Sequence, residues 1–346
     1  MASTTVTVAV DANGADLGPM EVAEGARLAT AHGDVRVLLF GPADQLAGVA
    51  TEAIEVVDAP VSIAKAADPA RAARSQRDAS IVQAARAVAD GRADALVSGG
   101  STGAALAAGL FEVKRARGIH RPALALPLPV PGDPVTLLDV GANTEVRAEH
   151  LVQFAFMGAA LATGVLGVER PRVGLLANGA EETKGTAVGQ EAHAALSAAA
   201  GLRFVGNVEG TDLPEGAADV VVADGYTGNI ALKTMEGTSA KVLQMVREAA
   251  GSSRRATLGG LLLRPALRAF RDDVDPEAVG GAYLLGLRRL GIVPHGRFTR
   301  TGFSRAIELA ARGVREDVVG RTHLALEEAG ALRGTPSAAS ASVPAR

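Results

Sequence analysis

Short apolar runs, each closed by Gly, Asp or Asn and separated by alanine-rich stretches of helical spacing, constrain this chain more than any other feature. The runs are Val6–Val10, Val35–Phe40, Ile54–Val57, Ala95–Ser98, Val135–Val140, Val173–Leu176, Phe204–Val205 and Val220–Ala223. Between most of them lie helix-like stretches, among them Arg71–Asp90, Thr102–Arg117, Glu149–Thr163, Ala187–Ala200 and Asn229–Ala250. Apolar runs without strict alternation, separated by helices, are the pattern of strands buried on both faces of a mainly parallel sheet. The expected fold is α/β: a doubly wound, three-layer α/β/α sandwich forming a single domain over residues 1–330. The 41 glycines, and aromatic residues at only 3%, suit tight turns beside strands and close packing of helices on a sheet.

Composition removes several classes of function. At 48% hydrophobic residues the chain has enough apolar material for a core, so global disorder is excluded. A net charge of -3 argues against a protein that coats nucleic acid. With no cysteine there is no disulfide, Cys-ligated zinc, Fe–S cluster or cysteine acyl-enzyme. No uninterrupted apolar stretch reaches the about 18 residues of a membrane span, and the first residues lack the basic region of a signal peptide. A cytoplasmic protein is the expectation. Five prolines interrupt Pro122–Pro134, which reads as an irregular edge strand or a crossing between halves. Residues 331–346, rich in Ser, Ala, Pro and Gly, read as a disordered tail.

In an open parallel sheet, ligands gather beyond the carboxyl ends of the strands. Six predicted strand ends carry loops rich in Gly, Asn and Asp: 11–16, 98–103, 139–143, 178–185, 206–212 and 224–229. Each alone is turn chemistry. Together they predict one cleft floor of backbone N–H groups and amide side chains, suited to a phosphate or an oxyanion. Gly99-Gly-Ser101-Thr-Gly103 fits neither a dinucleotide fingerprint nor a P-loop, but it is literally G-x-S-x-G between a strand and a helix. A serine esterase or thioesterase is therefore one alternative, with His295 the best available base. The other is a glycine-rich helix entry that offers N–H groups to an anion. The six histidines show no metal-ligand spacing, and no metal site is expected. Lys184, in a Gly-rich turn beside Glu181 and Glu182, reads either as a point charge placed to meet a dianion or as a solvated loop lysine.

Taken in order, these loops resemble those of the bacterial phosphate acyltransferases of phospholipid synthesis, PlsX. The residues that carry the resemblance are Asp11–Pro19, Ser98–Ala104, Leu137–Asn143 with Gln153–Gly158, Val173–Gly185, Phe204–Asp212, Asp224–Gly237, and Gly280–Gly286 with His295-Gly296. The likeness spans roughly residues 5–330. Asn13 and Ala15 stand where the family has Met and Gly, and Ser101 where it has Asn, so the G-x-S-x-G match is an accident of that last difference. Ala177-Asn178 and Ala180 are further departures, in the Lys184 loop. The resemblance implies a fold similar to phosphate acetyltransferases and isocitrate-dehydrogenase-like enzymes. It implies a homodimer without a cofactor that moves a fatty acyl group from acyl carrier protein to inorganic phosphate. Its product passes to a membrane glycerol-3-phosphate acyltransferase, which implies peripheral membrane contact. A non-catalytic acyl-binding protein is the remaining alternative.

On the residues that match the family's motifs, Lys184 is expected to bind phosphate or stabilise the thioester oxyanion, and Asn229 to donate to the reacting centre. Asn143, Asn207, Gly14, Gly228 and the backbone of Gly100, Ser101, Thr102 and Gly103 complete the expected anion site, with Asp11 and Asp224 orienting the loops. A separate feature is Ser252–Arg271, where Arg254, Arg255, Arg264, Arg268 and Arg271 alternate with Leu258, Leu261, Leu262, Leu263 and Phe270 and no acid intervenes. Pro265 is expected to kink or split a helix there, giving a helical hairpin around residues 240–285 that projects from the body. Its arginines read either as the solvated face of a core or dimer helix pair, or as a docking surface for the acidic carrier protein. In the second reading the leucine tip enters an anionic membrane interface.

Overall fold

The computed structural model describes residues 5–333 apart from 129, 131–133 and 274; the side chains of 269 and 271–273 lie outside the described set. The elements run β1 (Val6–Asp11), α1 (Pro19–Thr30), β2 (Val35–Gly41), β3 (Ile54–Asp58), α2 (Pro69–Ser75), α3 (Ser80–Ala89), β4 (Ala95–Ser98) and α4 (Thr102–Ala108) with a π-helical turn at Gly109–Val113. They continue as β5 (Ala123–Pro127), β6 (Thr136–Leu138), α5 (Ala148–Gly164), β7 (Arg172–Leu176), α6 (Ala187–Ser197), β8 (Arg203–Val208) and β9 (Val220–Val222). The last are α7 (Gly225–Gly251), α8 (Arg254–Asp273), α9 (Pro276–Val279), β10 (Ala282–Leu285), β11 (Leu290–Val293), α10 (Arg300–Arg315) and α11 (Val318–Glu328).

Eleven strands of the described residues form one sheet in the order β3-β2-β1-β4-β11-β10-β5-β6-β9-β7-β8. Successive side chains on a strand point to opposite faces, and both faces are covered. On one face Val8, Val10, Val37 and Leu39 share a core with Val22 of α1 and Ile307 of α10, and that core continues through Phe154 of α5, over β6, β7 and β9, to Leu326 of α11. Ala9, Leu38, Phe40 and Leu96 pack with α2, α3 and α4, and Leu232 at the start of α7 joins that side. The result is the expected three-layer α/β/α sandwich. Each fully buried Val, Leu, Ile or Phe side chain contributes about 1.5–3 kcal/mol of transfer free energy.

Strand direction positions the site. The pairings among β1–β4 and β11 are parallel, as are those among β6–β9, but β10 and β5 lie between the two sets and pair antiparallel with every neighbour. The register runs Val97 to Ile292, Tyr283 to Ala125 and Ala125 to Leu138, so the carboxyl ends of the two parallel sets point to opposite edges of the sheet. The helix α7 joins those edges. It starts after β9 and crosses the sheet face, and Lys233 and Glu236 reach the loop after β11.

Several expectations need correction. Of the two readings of Pro122–Pro134 the edge strand fails: the segment contains β5, a central strand between the two parallel sets, where a crossing between halves would lie. Pro122 precedes it and Pro127 ends it, so the prolines leave the intervening ladder N–H groups intact. Arg71–Asp90 is two helices, because Ser80 N–H donates to Val61 O and restarts the chain as α3. The hairpin consists of α7 and α8 and turns at Ser252–Ser253, where Ser253 Oγ accepts from Ala256 N–H at 3.1 Å. Pro265 lies inside α8 without splitting it, and residues 282–285 of the expected hairpin are the strand β10. Residues 331–333 are fastened to the body: Ala331 O accepts from Gln153 Nε2 at 2.8 Å and Arg333 N–H donates to Gly118 O at 2.8 Å. The rest of the expected tail, 334–346, lies outside the described residues.

Candidate active site

Asp11 ends β1 and is buried. Its Oδ1 accepts from Ser80 Oγ at 2.7 Å and Asn13 N–H at 3.1 Å, and its Oδ2 accepts from Ser98 Oγ at 2.8 Å. One carboxylate thus ties the start of α3 and the end of β4 to the turn that carries Gly14. Burial raises its pKa above the usual carboxylate value, against the lowering effect of those bonds. A Cβ on Gly14 would lie 2.7 Å from the Gly100 Cα, so the two loops meet backbone to backbone.

Asp139, after β6, does the same work in the other half. Its Oδ1 accepts from the N–H groups of Leu124, Gly141 and Ala142, and its Oδ2 from the N–H and side-chain amide of Asn143. Burial again raises the pKa. The first turn of α7 lies against this loop: a Cβ on Gly228 would sit 2.0 Å from Asp139 O, and one on Gly225 2.7 Å from Asn143 O. Asp224 caps that turn by accepting from Tyr226 and Thr227 N–H, at 3.0 and 2.9 Å.

The loops expected to form one cleft floor divide into two groups. Gly100, Ser101 and Thr102 share a cavity of about 380 Å³ with Asn229, Lys233, Glu236 and His295. Lys184, Asn207 and Asp224 line a separate cavity with Asn178 and Thr227. The turn at 224–229 borders both. Gly103 turns toward Pro69, whose side chain would lie 3.1 Å from an added Cβ. Asn143 departs from its expected role, since both amide hydrogens are engaged, by Pro122 O at 2.7 Å and Asp139 Oδ2 at 2.9 Å. Asn207 donates to Glu181 O at 2.8 Å and Asn178 accepts from Gly185 N–H at 2.9 Å; both hold the Lys184 loop in shape. Ser101 Oγ accepts from Ala104 N–H at 3.1 Å as the cap of α4, and no described hydrogen bond joins it to a histidine.

Lys233 and Glu236 were not among the expected site residues, Asp139 was expected only as the first residue of a cleft loop, and His295 only as the base of the esterase alternative. Lys233 had a legible signal, standing four residues after Asn229 on one helix face. It pairs with Glu236 at 2.8 Å. Burial holds the His295 imidazole below the usual histidine pKa, with Arg297 and Lys233 adding to the effect and Glu236 and Asp16 opposing it. Elsewhere, ligand atoms of His120, Glu149 and His150 come within 4.8 Å of one another. His150 Nδ1 accepts from Arg147 N–H at 3.2 Å, and Arg147 Nη1 stands 3.6 Å from Glu149 Oε1. An accepting Nδ1 places the ring proton on Nε2, the nitrogen 3.9 Å from Glu149 Oε1, so in that neutral ring neither nitrogen has a free lone pair for a metal.

Residues 6–321 match the family model described as "Fatty acid synthesis protein". A phosphate acyltransferase of Streptococcus equi subsp. zooepidemicus is 41% identical over 319 residues, 91% of this chain and 95% of that protein. Those of Geobacillus sp. and Bacillus pumilus are 42% and 43% identical, over 93% and 91% of this chain and 98% and 96% of theirs. The chain belongs to this family of phosphate acyltransferases. Its fold is also that of a phosphotransacetylase from Streptococcus pyogenes, at a TM-score of 0.59 and 16% identity over 90% of this chain and 94% of that one. The EutD phosphotransacetylase of Staphylococcus aureus matches at 0.58 and 19%, with the same coverage of both chains. At such identities the likeness is one of fold.

Proposed function

We propose that this chain transfers a fatty acyl group from the thioester of acyl carrier protein to inorganic phosphate, supplying acyl-phosphate for phospholipid synthesis. The observation that carries the reading is identity of 41–43% to phosphate acyltransferases over nine-tenths of the chain. A phosphate oxygen bonds to the thioester carbonyl carbon, and the carbonyl electrons move onto oxygen. Collapse of that intermediate breaks the carbon–sulfur bond, and the departing thiolate takes a proton from solvent. The nucleophile comes with the substrate, so a chain without cysteine lacks nothing for this step. What the protein supplies is position and charge stabilisation.

Asn229 is the amide assigned to the developing oxyanion. Lys184, which lines the cavity on the other side of the 224–229 turn, is the cation assigned to phosphate, so in this reading the two cavities meet at that turn during transfer. Purified Lys184→Ala and Asn229→Ala should each lose about 100–1,000-fold in phosphate-dependent discharge of acyl carrier protein while staying folded by circular dichroism. Near-native rates in both would end this assignment. Ser101→Ala should leave transfer largely intact; release of free fatty acid without phosphate would favour a serine esterase instead.

The chain's partners in this reading are acyl carrier protein, a second copy of itself and a membrane glycerol-3-phosphate acyltransferase. Among the described residues no helix is long and apolar enough to cross a membrane. The α7–α8 hairpin exposes Leu261, Leu262 and Leu263 at 58%, 78% and 59%, with Arg264 and Arg268 exposed beside them. The Arg271 side chain, expected in the same surface, lies outside the described residues. Apolar residues flanked by cations suit an anionic bilayer surface. Replacing the three leucines with Gln should reduce flotation with anionic liposomes and spare transfer in solution; unchanged flotation would remove the hairpin from membrane contact.

A further inference from the structure

A second cavity, of about 610 Å³, adjoins the one that holds Asn229 and shares Leu232, Glu236 and Pro276 with it. Its wall is mainly apolar: Leu128 and Val130 beyond β5, Met235 and Leu243 on α7, and Phe270 on α8. On α7, Asn229, Leu232, Met235 or Glu236, Ser239 and Leu243 recur at helical spacing, and each lines one cavity or the other. At 1.5 Å per residue this stripe runs about 21 Å from the carboxamide to the far end. The strand supplies the facing wall in the same order, with Leu124 and Leu126 on the first cavity and Leu128 on the second.

We propose that this second cavity is the subsite for the alkyl chain of the acyl donor, with Ser239, Leu243 and Phe270 setting the length it accepts. The inference rests on the acyl-transfer reading above. It follows from a cavity with polar groups at Gly100, Asn229 and Lys233 that adjoins a mainly apolar one, with a stripe of chain-like length along α7 lining both. Phe270 makes the hairpin one wall of the second cavity, so the element that exposes Leu261, Leu262 and Leu263 also covers the chain near its root.

Each methylene taken from water into such a cavity adds affinity, so long donors depend on the far end and short donors do not. Ser239 is half-buried in the cavity wall and takes no part in the assigned chemistry. Ser239→Trp should lower kcat/KM for hexadecanoyl-acyl carrier protein by at least about tenfold, and that for the butanoyl donor by less than about twofold. Leu243→Trp should do the same with a later cut-off in chain length, which guards against one variant simply folding badly. Equal losses for both donors, or no loss for either, in folded protein would overturn the subsite. If the wild-type chain transfers no acyl group to phosphate, the functional reading falls by itself. Calorimetric binding of hexadecanoate then decides the cavity, which stands if Ser239→Trp weakens binding and falls if it does not.

Discussion

Asp11 and Asp139 are buried carboxylates at the strand ends of the two oppositely directed halves of one sheet, and they solve the same problem with different donors. Asp11 is held by two hydroxyls and one backbone N–H; Asp139 is held by four backbone N–H groups and one side-chain amide. A hydroxyl can rotate and become an acceptor, whereas a peptide N–H can only donate in the direction the chain gives it. The Asp139 loop is therefore fixed by its carboxylate, and the first turn of α7 with Asn229 is built directly on that loop through Gly228. The Asp11 loop holds backbone to backbone at Gly14 and Gly100 and leaves its carboxylate some freedom of partner.

The largest effect expected from this contrast is that of Asp139→Ala. It strands the N–H groups of Leu124 and Asn143 in the interior, and each buried donor left without an acceptor costs about 1–3 kcal/mol. A loss of at least about 3 kcal/mol in urea unfolding should accompany loss of transfer, because the platform under Asn229 goes with it. Asp11→Ala should cost less in stability. If the two variants unfold at the same urea concentration, the distinction between fixed and adaptable donors fails.

The contrast also accounts for what the sequence discloses. The eight apolar runs are strands because β-branched and leucine side chains buried on both faces leave a strong local pattern. The strands without such a run are β5, β10 and β11, reading ALALP, AYLL and LGIV: the first two carry no β-branched residue and a glycine interrupts the third. Their neighbours in the sheet hold β5 and β10 extended, and no local preference does. Those missing strands include the two that reverse the sheet. That is why the turn chemistry at Asp11, Gly14, Asp224 and Gly228 was legible one loop at a time while the sorting of loops onto two edges was not. Asn143 looked like a donor for an anion for a related reason. Its type and place are right, but a buried carboxylate four residues earlier takes one of its protons and Pro122 O the other.

Asp11→Asn gives the smallest effect, and its pH dependence makes it the finest test. The amide keeps the shape and one acceptor of the carboxyl, and Ser80 or Ser98 can turn its hydroxyl to accept from the new NH₂ group. The Asp11 carboxyl has its pKa raised in the folded chain, chiefly by burial. A raised folded-state value means that the group's contribution to stability is complete below the ordinary carboxylate range and is lost as pH rises through the raised value. Asn does not titrate, so wild type should lose ground to Asp11→Asn as the solution goes from roughly pH 4 to pH 8. Any advantage of wild type in melting temperature at the acid end should shrink or reverse by the alkaline end, over a few degrees at most, on the scale of about 2–4 °C per kcal/mol for a large domain. A gap that instead widens in favour of wild type with rising pH would mean that the ionised carboxylate is stabilised by its three donors beyond what burial costs. Asp11 would then be as firmly fixed as Asp139, and the two halves of the sheet would be held by one principle.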